Sequence, residues 1–548
     1  MSRKSSQTSS ASSPLLLTAD AAASPQTVAD AVAQVCQQGY ARLPPRGKPS
    51  QAHLWTVLAG IVVSEPVQRG VALSLVALAT GTKCLGASQL ARDGTLVNDS
   101  HAEVLARRAF RRALVQDMAS GKPRWLEPIQ ATTAGADAGN HHKDADADAD
   151  GSHTDASSSE NGRPNASHTQ WKLKPNLSVH LYVNQAPCGD ASIFPLDQMD
   201  PSERELAAMV YPGNNNPGSG DVVAHAEVVA DQQQLHGEKR AHPTENGEAD
   251  THGSSTDASS ATGATVKRPR LEFSPAAQDI QRTGAKTVAD TRMVLGIAPS
   301  TDDNVPAPKL DSHEAGADYH VQGCLRTKPG RGDRTRSMSC SDKIALWSCV
   351  GLQGALLSQL IPEPIPLATV VVGELFHLEA MQRAVTLRAN TAFNELPSVR
   401  RLAPPVLART TERFVDGRLA KLDLARTRGP GAAEQLQSAP SSIVWFSANP
   451  SPVFEVLIQG KKEGANSRVP PHKAQSVLSK AAMLQAVEPL LASSSAQASS
   501  STYFLLKQGA ADYTARKHAV LATTPFQDWL RNGQSWEEFA ASRENEKS

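Results

Sequence analysis

Cysteine is scarce in this chain. Six residues (Cys36, Cys84, Cys188, Cys324, Cys340 and Cys349) are scattered through 548 positions. That is no disulfide framework. It suits a reducing compartment, where a lone cysteine is a core residue, a catalytic residue or a metal ligand. Long apolar runs are missing too: the longest, around Val71 to Ala79, is too short to span a bilayer, and no secretory signal is read. The expectation is a cytoplasmic and/or nuclear protein with no membrane partner. Net charge is absent as well, with 55 basic residues against 55 acidic ones. Any nucleic-acid-binding surface must therefore be local.

Three stretches lack the apolar side chains that would offset chain entropy. Residues 1–26 are rich in Ser, Thr and Ala and read as a disordered arm. Residues 131–168 include HHKDADADADGSHTDASSSENG, and residues 212–318 include SSTDASSATGATVKRPR. Both read as disordered insertions into a single domain over 27–540, followed by a tail at 541–548; loop-closure cost grows slowly enough with length to allow this. KRPR (267–270) reads equally as a nuclear import patch or a solvated charge run.

Between these stretches the pattern alternates. TVADAVAQVCQQGY (27–40), HAEVLARRAFRRALVQDMA (101–119) and SDKIALWSCVGLQGALLSQL (341–360) predict helices, as do AAMLQAVEPLLA and YTARKHAVLATTPFQDWL near the end. WTVLAGIVV (55–63), VALSLVALAT (71–80), LSVHLYVN (177–184), IPLATVVVG (365–373) and PVFEVLI (452–458) predict strands. The fold class is α/β (α+β): one mixed sheet covered by helices.

Three short motifs carry chemistry. His101-Ala102-Glu103 opens a helix; Pro187-Cys188-Gly189-Asp190 follows a strand; Ser339-Cys340-Ser341-Asp342-Lys343 opens another helix. Each alone is ordinary. Together, one His and two Cys form a three-ligand zinc site with the fourth position left for water, one Zn2+ per chain. Helix N-termini favour thiolates. Glu103, two residues after the histidine, has the place of the proton-carrying glutamate of zinc deaminases, while the metal lowers the pKa of water. His180 is a possible fourth ligand, although strand alternation points it elsewhere.

With those motifs, four segments resemble the adenosine deaminases that act on RNA: GTKCLGASQLARDGTLVNDSHAEVLARRAF (81–110), LYVNQAPCGDASIF (181–194), GCLRTKPGRGDRTRSMSCSDKIALW (323–347) and GLQGALLS (351–358). The likeness runs from about 28 to 540. The fold implied is the cytidine-deaminase-like sheet. In the related cytidine and small tRNA deaminases both cysteines fall within one short P-C-x-x-C; here Cys340 lies far downstream of Cys188, as in the RNA-adenosine family. No segment reads as a double-stranded-RNA-binding domain, and LRTKPGRGD resembles the compact loop of the tRNA-specific branch, which acts on adenosine 37 of alanine tRNA.

The resemblance implies roles. His101, Cys188 and Cys340 would bind zinc and Glu103 would shuttle protons. Thr82 and Lys83 would lie near the target nucleotide, and Lys328 and Arg331 near the RNA entrance. A buried inositol hexakisphosphate would be held by Asn98, Arg107, Arg108, Lys343, Lys461, Tyr503, Lys507, Tyr513, Lys517 and Trp536, with Asp99 and Lys343 linking it to the zinc site. There are departures: Leu346 and Phe539 stand where double-stranded-RNA editors have an arginine and a lysine, and Ser192 replaces an RNA-contacting arginine. The segment from Arg326 to Lys343 holds six basic residues against two acidic ones and ends at a zinc ligand, which suits a phosphate backbone. tRNA is the expected partner, its target base unstacked in a loop, and no protein partner is implied. The alternatives are editing of other structured RNA and a non-catalytic RNA-binding homologue.

Overall fold

The computed structural model describes residues 14–129, 169–197, 280–298, 309–314, 316–329, 333–429, 431–466, 468–492 and 502–540. Its centre is a nine-stranded mixed sheet. The strands are β1 (Leu15–Thr18), β2 (Leu58–Val67), β3 (Gly70–Thr80), β4 (Ser178–Gln185), β5 (Thr369–Glu374), β6 (Val406–Arg409), β7 (Ser441–Phe446), β8 (Val453–Ile458) and β9 (Lys461–Lys462). They run β6-β5-β4-β2-β3-β7-β8-β9, with β1 added against β3. β4, β5 and β6 are parallel; the remaining pairs are antiparallel. The expected mixed α/β sheet is what the chain forms.

The strands are apolar on both faces because helices cover both. On one side α1 (Pro25–Arg42) packs Val32, Cys36 and Tyr40 against Leu58, Val62, Leu73 and Tyr182. On the other, α2 (Ala102–Ala119) and α3 (Cys340–Val350) pack Leu105, Phe110, Ile344 and Trp347 against Ile61, Val63, Val76 and Val183. Alternation along β2 sends Ile61 and Val63 to one core and Leu58 and Val62 to the other, through a register shift between Ile61 and Val62. Further helices Arg388–Asn394 (α4) and Ala511–Ala522 (α6) close over α3, and Lys480–Ala492 (α5) packs on α2.

Several expectations change. The helix expected over 341–360 stops at Val350, because Gly351 adopts φ 82° and a separate short turn, Gly354–Ser358, follows. The final helix ends at Ala522, ahead of Thr523 and Pro525. The arm ascribed to 1–26 is ordered from residue 14: Leu15–Thr18 pairs with Gly70–Leu73 and α1 already starts at Pro25. The second insertion is shorter than 212–318. Ile280–Gln281 pairs with Phe194–Pro195, Lys286–Thr287 pairs with Arg326–Thr327, and Ile280, Thr287 and Thr291 are buried. These pieces escaped notice because each is only a few residues long. KRPR and residues 131–168 lie outside the described residues, as does the tail at 541–548. Among the described residues no helix is long and apolar enough to cross a membrane.

Candidate active site

Three elements meet at the C-terminal end of β4. His101 is the N-cap of α2, held in place by a two-stranded ribbon that pairs Thr82 with His101, Lys83 with Ser100 and Cys84 with Asp99. Cys188 follows β4. Cys340 is the first residue of α3, whose N-cap Ser339 accepts a hydrogen bond from the Asp342 amide. The His101, Cys188 and Cys340 ligand atoms all lie within 4.8 Å of one another. His101 Nδ1 is 3.8 Å from Cys188 Sγ and 3.6 Å from Cys340 Sγ. Tetrahedral zinc with ordinary bond lengths sets such atoms roughly 3.5 Å apart, so the donor set fits the metal. His180 is not part of it: its Nε2 hydrogen-bonds Ser64 Oγ at 2.9 Å.

The donor chemistry also calls for a cation. The Cys188 thiol is drawn well below its ordinary pKa, first by the hydrogen bond with Cys340 and then, against the cost of burial, by Lys328 and His101. Cys340 is pushed well above its own, by burial and by the neighbouring thiolate. Two buried thiols this close oppose each other's ionisation, and a divalent ion is what lets both ionise. Glu103 is buried, its pKa raised by desolvation, and its Oε2 has no hydrogen-bond partner among the described residues.

Two aspartates lock the cysteine loops. Gly189, at φ 111°, lets the backbone pass so close to α3 that a Cβ would sit 2.2 Å from Ser339 Oγ. Asp190, two residues after Cys188, and Asp342, two after Cys340, are fully buried, and Arg388 on α4 bridges them, joined on Asp190 by Arg383. Asp342 Oδ2 also accepts from Ser339 Oγ at 2.8 Å and from the Arg326 amide at 2.8 Å. Arg383 and Arg388 went unread in the sequence because their helix carries no motif; the repeated Cys-x-Asp was the available signal.

Two members of the basic segment, Arg326 and Lys328, are internal, which corrects the expectation that Lys328 lies exposed at the RNA entrance. The Lys328 amide donates to Ser337 O and the Ser339 amide to Arg326 O, so the chain doubles back on itself. Arg326 is fully buried, forked onto Asp311, which also pairs with His320. Lys328, expected at the RNA entrance, is fully buried; its ammonium lies 3.1 Å from Asp99 and 2.8 Å from Cys340 Sγ. Burial alone would lower its pKa, but Asp99 and the two cysteines raise it well above the ordinary value. Arg334 pairs with Asp290 and Arg336 reaches Asn532. Arg331 lies outside the described residues. Thr82 has a buried hydroxyl with no partner among the described residues, and Lys83 donates to Ser438 Oγ.

Behind the metal site is a cavity of about 260 Å³. Of the residues expected around a polyphosphate, Asn98, Arg107, Arg108, Lys343, Tyr513 and Lys517 line it. Tyr503, Lys507 and Trp536 stand outside the wall: Tyr503 is stacked on Phe539, and Lys507 pairs with Glu537. Lys461 does not belong there. It is exposed on the edge strand β9, opposite Ile458, and Lys480 at the start of α5 occupies the wall instead. Arg111, also unforeseen, continues the helical stripe of Val104, Arg107 and Arg108. Six cationic side chains thus face a space with a single carboxylate, Asp99. Lys343 joins the two sites: its Nζ is 2.5 Å from Asp99 Oδ2, the same carboxylate that holds Lys328. Burial favours a protonated Asp99, but Lys328 and Lys343 hold it far below the usual carboxylate range.

Residues 77–123 and 152–533 match the adenosine-deaminase (editase) domain. The chain belongs to that family. It is 30% identical to the tRNA-specific adenosine deaminase 1 of Macaca fascicularis, over 93% of this chain and 99% of that protein, and 29% identical to the human protein of that name over the same shares. The double-stranded RNA-specific editase Adar of Drosophila melanogaster is 26% identical over 65% of this chain and 35% of its own length. As an editase-family member the chain is an enzyme of adenosine deamination, and its His-Cys-Cys cluster suits zinc.

Two outcomes are expected of this geometry. Arg388→Met leaves Asp190 and Asp342 buried without their bridge and should cost about 3–5 kcal/mol in a urea titration, with weaker metal retention; wild-type stability would show that the bridge holds nothing. In protein stripped of bound anions, burial and the Lys507 charge lower the Lys517 pKa from 10.5 to about 8. Between those values the unfolded chain binds more protons, so stability should rise as pH climbs through about 8. Thermal melts across that range check the sign, and an anion in the cavity should flatten the rise.

Proposed function

We propose that this chain deaminates adenosine to inosine in tRNA, with adenosine 37 of alanine tRNA as the target, by zinc-dependent hydrolysis. The observation that carries the reading is the convergence of His101, Cys188 and Cys340 with a buried glutamate, Glu103, that has a free carboxylate oxygen. The likeness to tRNA-specific adenosine deaminases over nearly the whole of both chains supports the choice of substrate.

His101, Cys188 and Cys340 would hold the ion. Zinc bound there supplies Lewis acidity that eases ionisation of the attacking water. The rest falls to the protein. Glu103 takes a proton from that water as the water oxygen bonds to the purine carbon, and passes it to the neighbouring ring nitrogen. It then takes the remaining proton of the added hydroxyl and delivers it to the amine, so that the C–N bond breaks, the carbonyl of inosine forms and ammonia leaves. Its raised pKa, caused by burial, suits a group that must both accept and donate. Lys328 places a positive charge on Cys340 sulfur and so tempers the negative charge of the ligand set. Thr82, paired with His101 and with no partner for its hydroxyl among the described residues, would meet the substrate nucleotide, with Lys83 next to it; Arg331 keeps its role toward the RNA backbone from the family resemblance alone.

The cavity behind the site holds a buried inositol hexakisphosphate in this reading. Six cations facing one carboxylate support a polyanion, because buried guanidinium and ammonium groups are costly without counter-charge. Asn98 and Tyr513 add neutral hydrogen-bonding groups to the same wall.

Glu103→Gln should retain fold and metal yet abolish inosine formation; substantial residual turnover would remove Glu103 from proton transfer. The purified protein should carry about one zinc per chain, as a mononuclear site requires, and an active, metal-free sample would contradict the site. Incubation with total RNA followed by inosine mapping decides the substrate. Inosine in the alanine tRNA anticodon loop is expected; inosine confined to duplex RNA would replace the tRNA reading with mRNA editing.

A further inference from the structure

We propose that Arg111, on α2, is a principal anchor for the anion in the cavity. The proposal rests on the polyanion reading given above and adds the residue that adapts the cavity in this chain.

Arg111 is 8% exposed, and its Nε has no hydrogen-bond partner among the described residues. Its two arginine neighbours differ. Arg107 donates to Leu352 O at 2.9 Å and lies over the Trp347 ring; Arg108 donates to Leu478 O at 2.8 Å. No carboxylate pairs with Arg111 among the described residues, and the one acid on the wall, Asp99, already holds two lysines. A guanidinium so placed costs stability unless an anion reaches it, and its planar fork is suited to phosphate oxygens.

The surroundings are shaped for it. Gly354 takes φ 71°, and a Cβ there would come within 3.3 Å of Arg111 Cζ and 3.2 Å of an Arg107 terminal nitrogen. A bare backbone at that point gives both guanidinium groups room at the cavity. Leu346 lies on the same wall, 5% exposed and apolar. Adjacent turns of two helices thus present an arginine and a leucine to one space. The ligand this selects is a compact, multiply phosphorylated molecule, since a single phosphate cannot reach cations on α2, α3, α5 and α6 at once.

The test compares wild type, Arg111→Leu, Arg111→Lys and the double variant Arg111→Leu/Leu346→Arg, each purified from the same host without added phosphate. Each is denatured, the released phosphorus is counted per chain and typed by phosphorus NMR, and thermal midpoints are taken before denaturation. Wild type should release about one polyphosphorylated molecule per chain. Arg111→Leu should hold it more weakly by about tenfold or more, the change in dissociation constant expected when one charge-assisted contact is removed, so that exhaustive dialysis before denaturation strips it from this variant ahead of wild type, and it should melt at a lower temperature. Arg111→Lys should keep most of it, and the double variant should recover it. Equal phosphorus and equal melting in wild type and Arg111→Leu would overturn the role of Arg111 while leaving the cavity reading intact. Wild type with no phosphorus, or with inorganic phosphate as an adventitious ion only, would overturn the cavity reading itself. If Arg111→Leu is insoluble, a soluble and loaded double variant upholds the proposal, and an insoluble or empty one refutes it.

Discussion

One buried carboxylate holds the interior of this protein together. Asp99 takes the ammonium groups of Lys328 and Lys343 at once, and the other side of Lys328 rests on the sulfur of Cys340. Burying any of these charges alone would be expensive; burying them as a connected set is tolerable because each has a partner of opposite sign. The ribbon that pairs Cys84 with Asp99 fixes the carboxylate, and the His101 amide donates to it at 3.1 Å. The backbone that sets the first metal ligand therefore also sets the centre of the charge network.

Charge balance then requires two further partners. On the metal side, two thiols and a carboxyl group crowd one imidazole, and they can all ionise only around a cation. On the cavity side the excess has the opposite sign. Burial, and then the Arg111 charge, lower Arg107 to about 9 and Arg108 to about 10. A small cation in one place and, on the reading proposed above, a multivalent anion in the other would complete both halves, with Asp99 between them.

Much of this could be read from the chain, for physical reasons. Long apolar runs such as Val71–Thr80 have few fates other than a buried strand, and a histidine or cysteine at the start of a helical pattern is local information. What escaped depended on distant partners. Lys328 sits among Gly, Pro and Arg, the composition of a solvated loop, and nothing nearby in sequence reveals that Asp99 and Cys340 await it. Lys461 and Lys480 both occur close to β8; one points to solvent and the other into the cavity, and only the packing of α5 separates them. Arg111 was within reach, because it extends the spacing of Arg107 and Arg108 by one turn. Leu15–Thr18 is four residues long, and its order comes from an open edge of β3 rather than from any strong preference of its own.

The same two helices build both sites. α2 begins with His101 and Glu103 and, one turn later, turns Arg107, Arg108 and Arg111 to the cavity. α3 begins with Cys340 and, one turn later, presents Lys343, Leu346 and Trp347 to the same space. The Arg107 guanidinium over the Trp347 ring, at 4.8 Å, is a direct contact between them. Like charges on the cavity wall oppose the approach of these helices, whose N-termini carry ligands that have to meet within a few ångströms. An anion that binds only the folded chain adds its binding free energy to folding. On the polyanion reading proposed above, that energy would be delivered one helical turn from the metal ligands, so stabilising the core and assembling the reaction centre would be the same event.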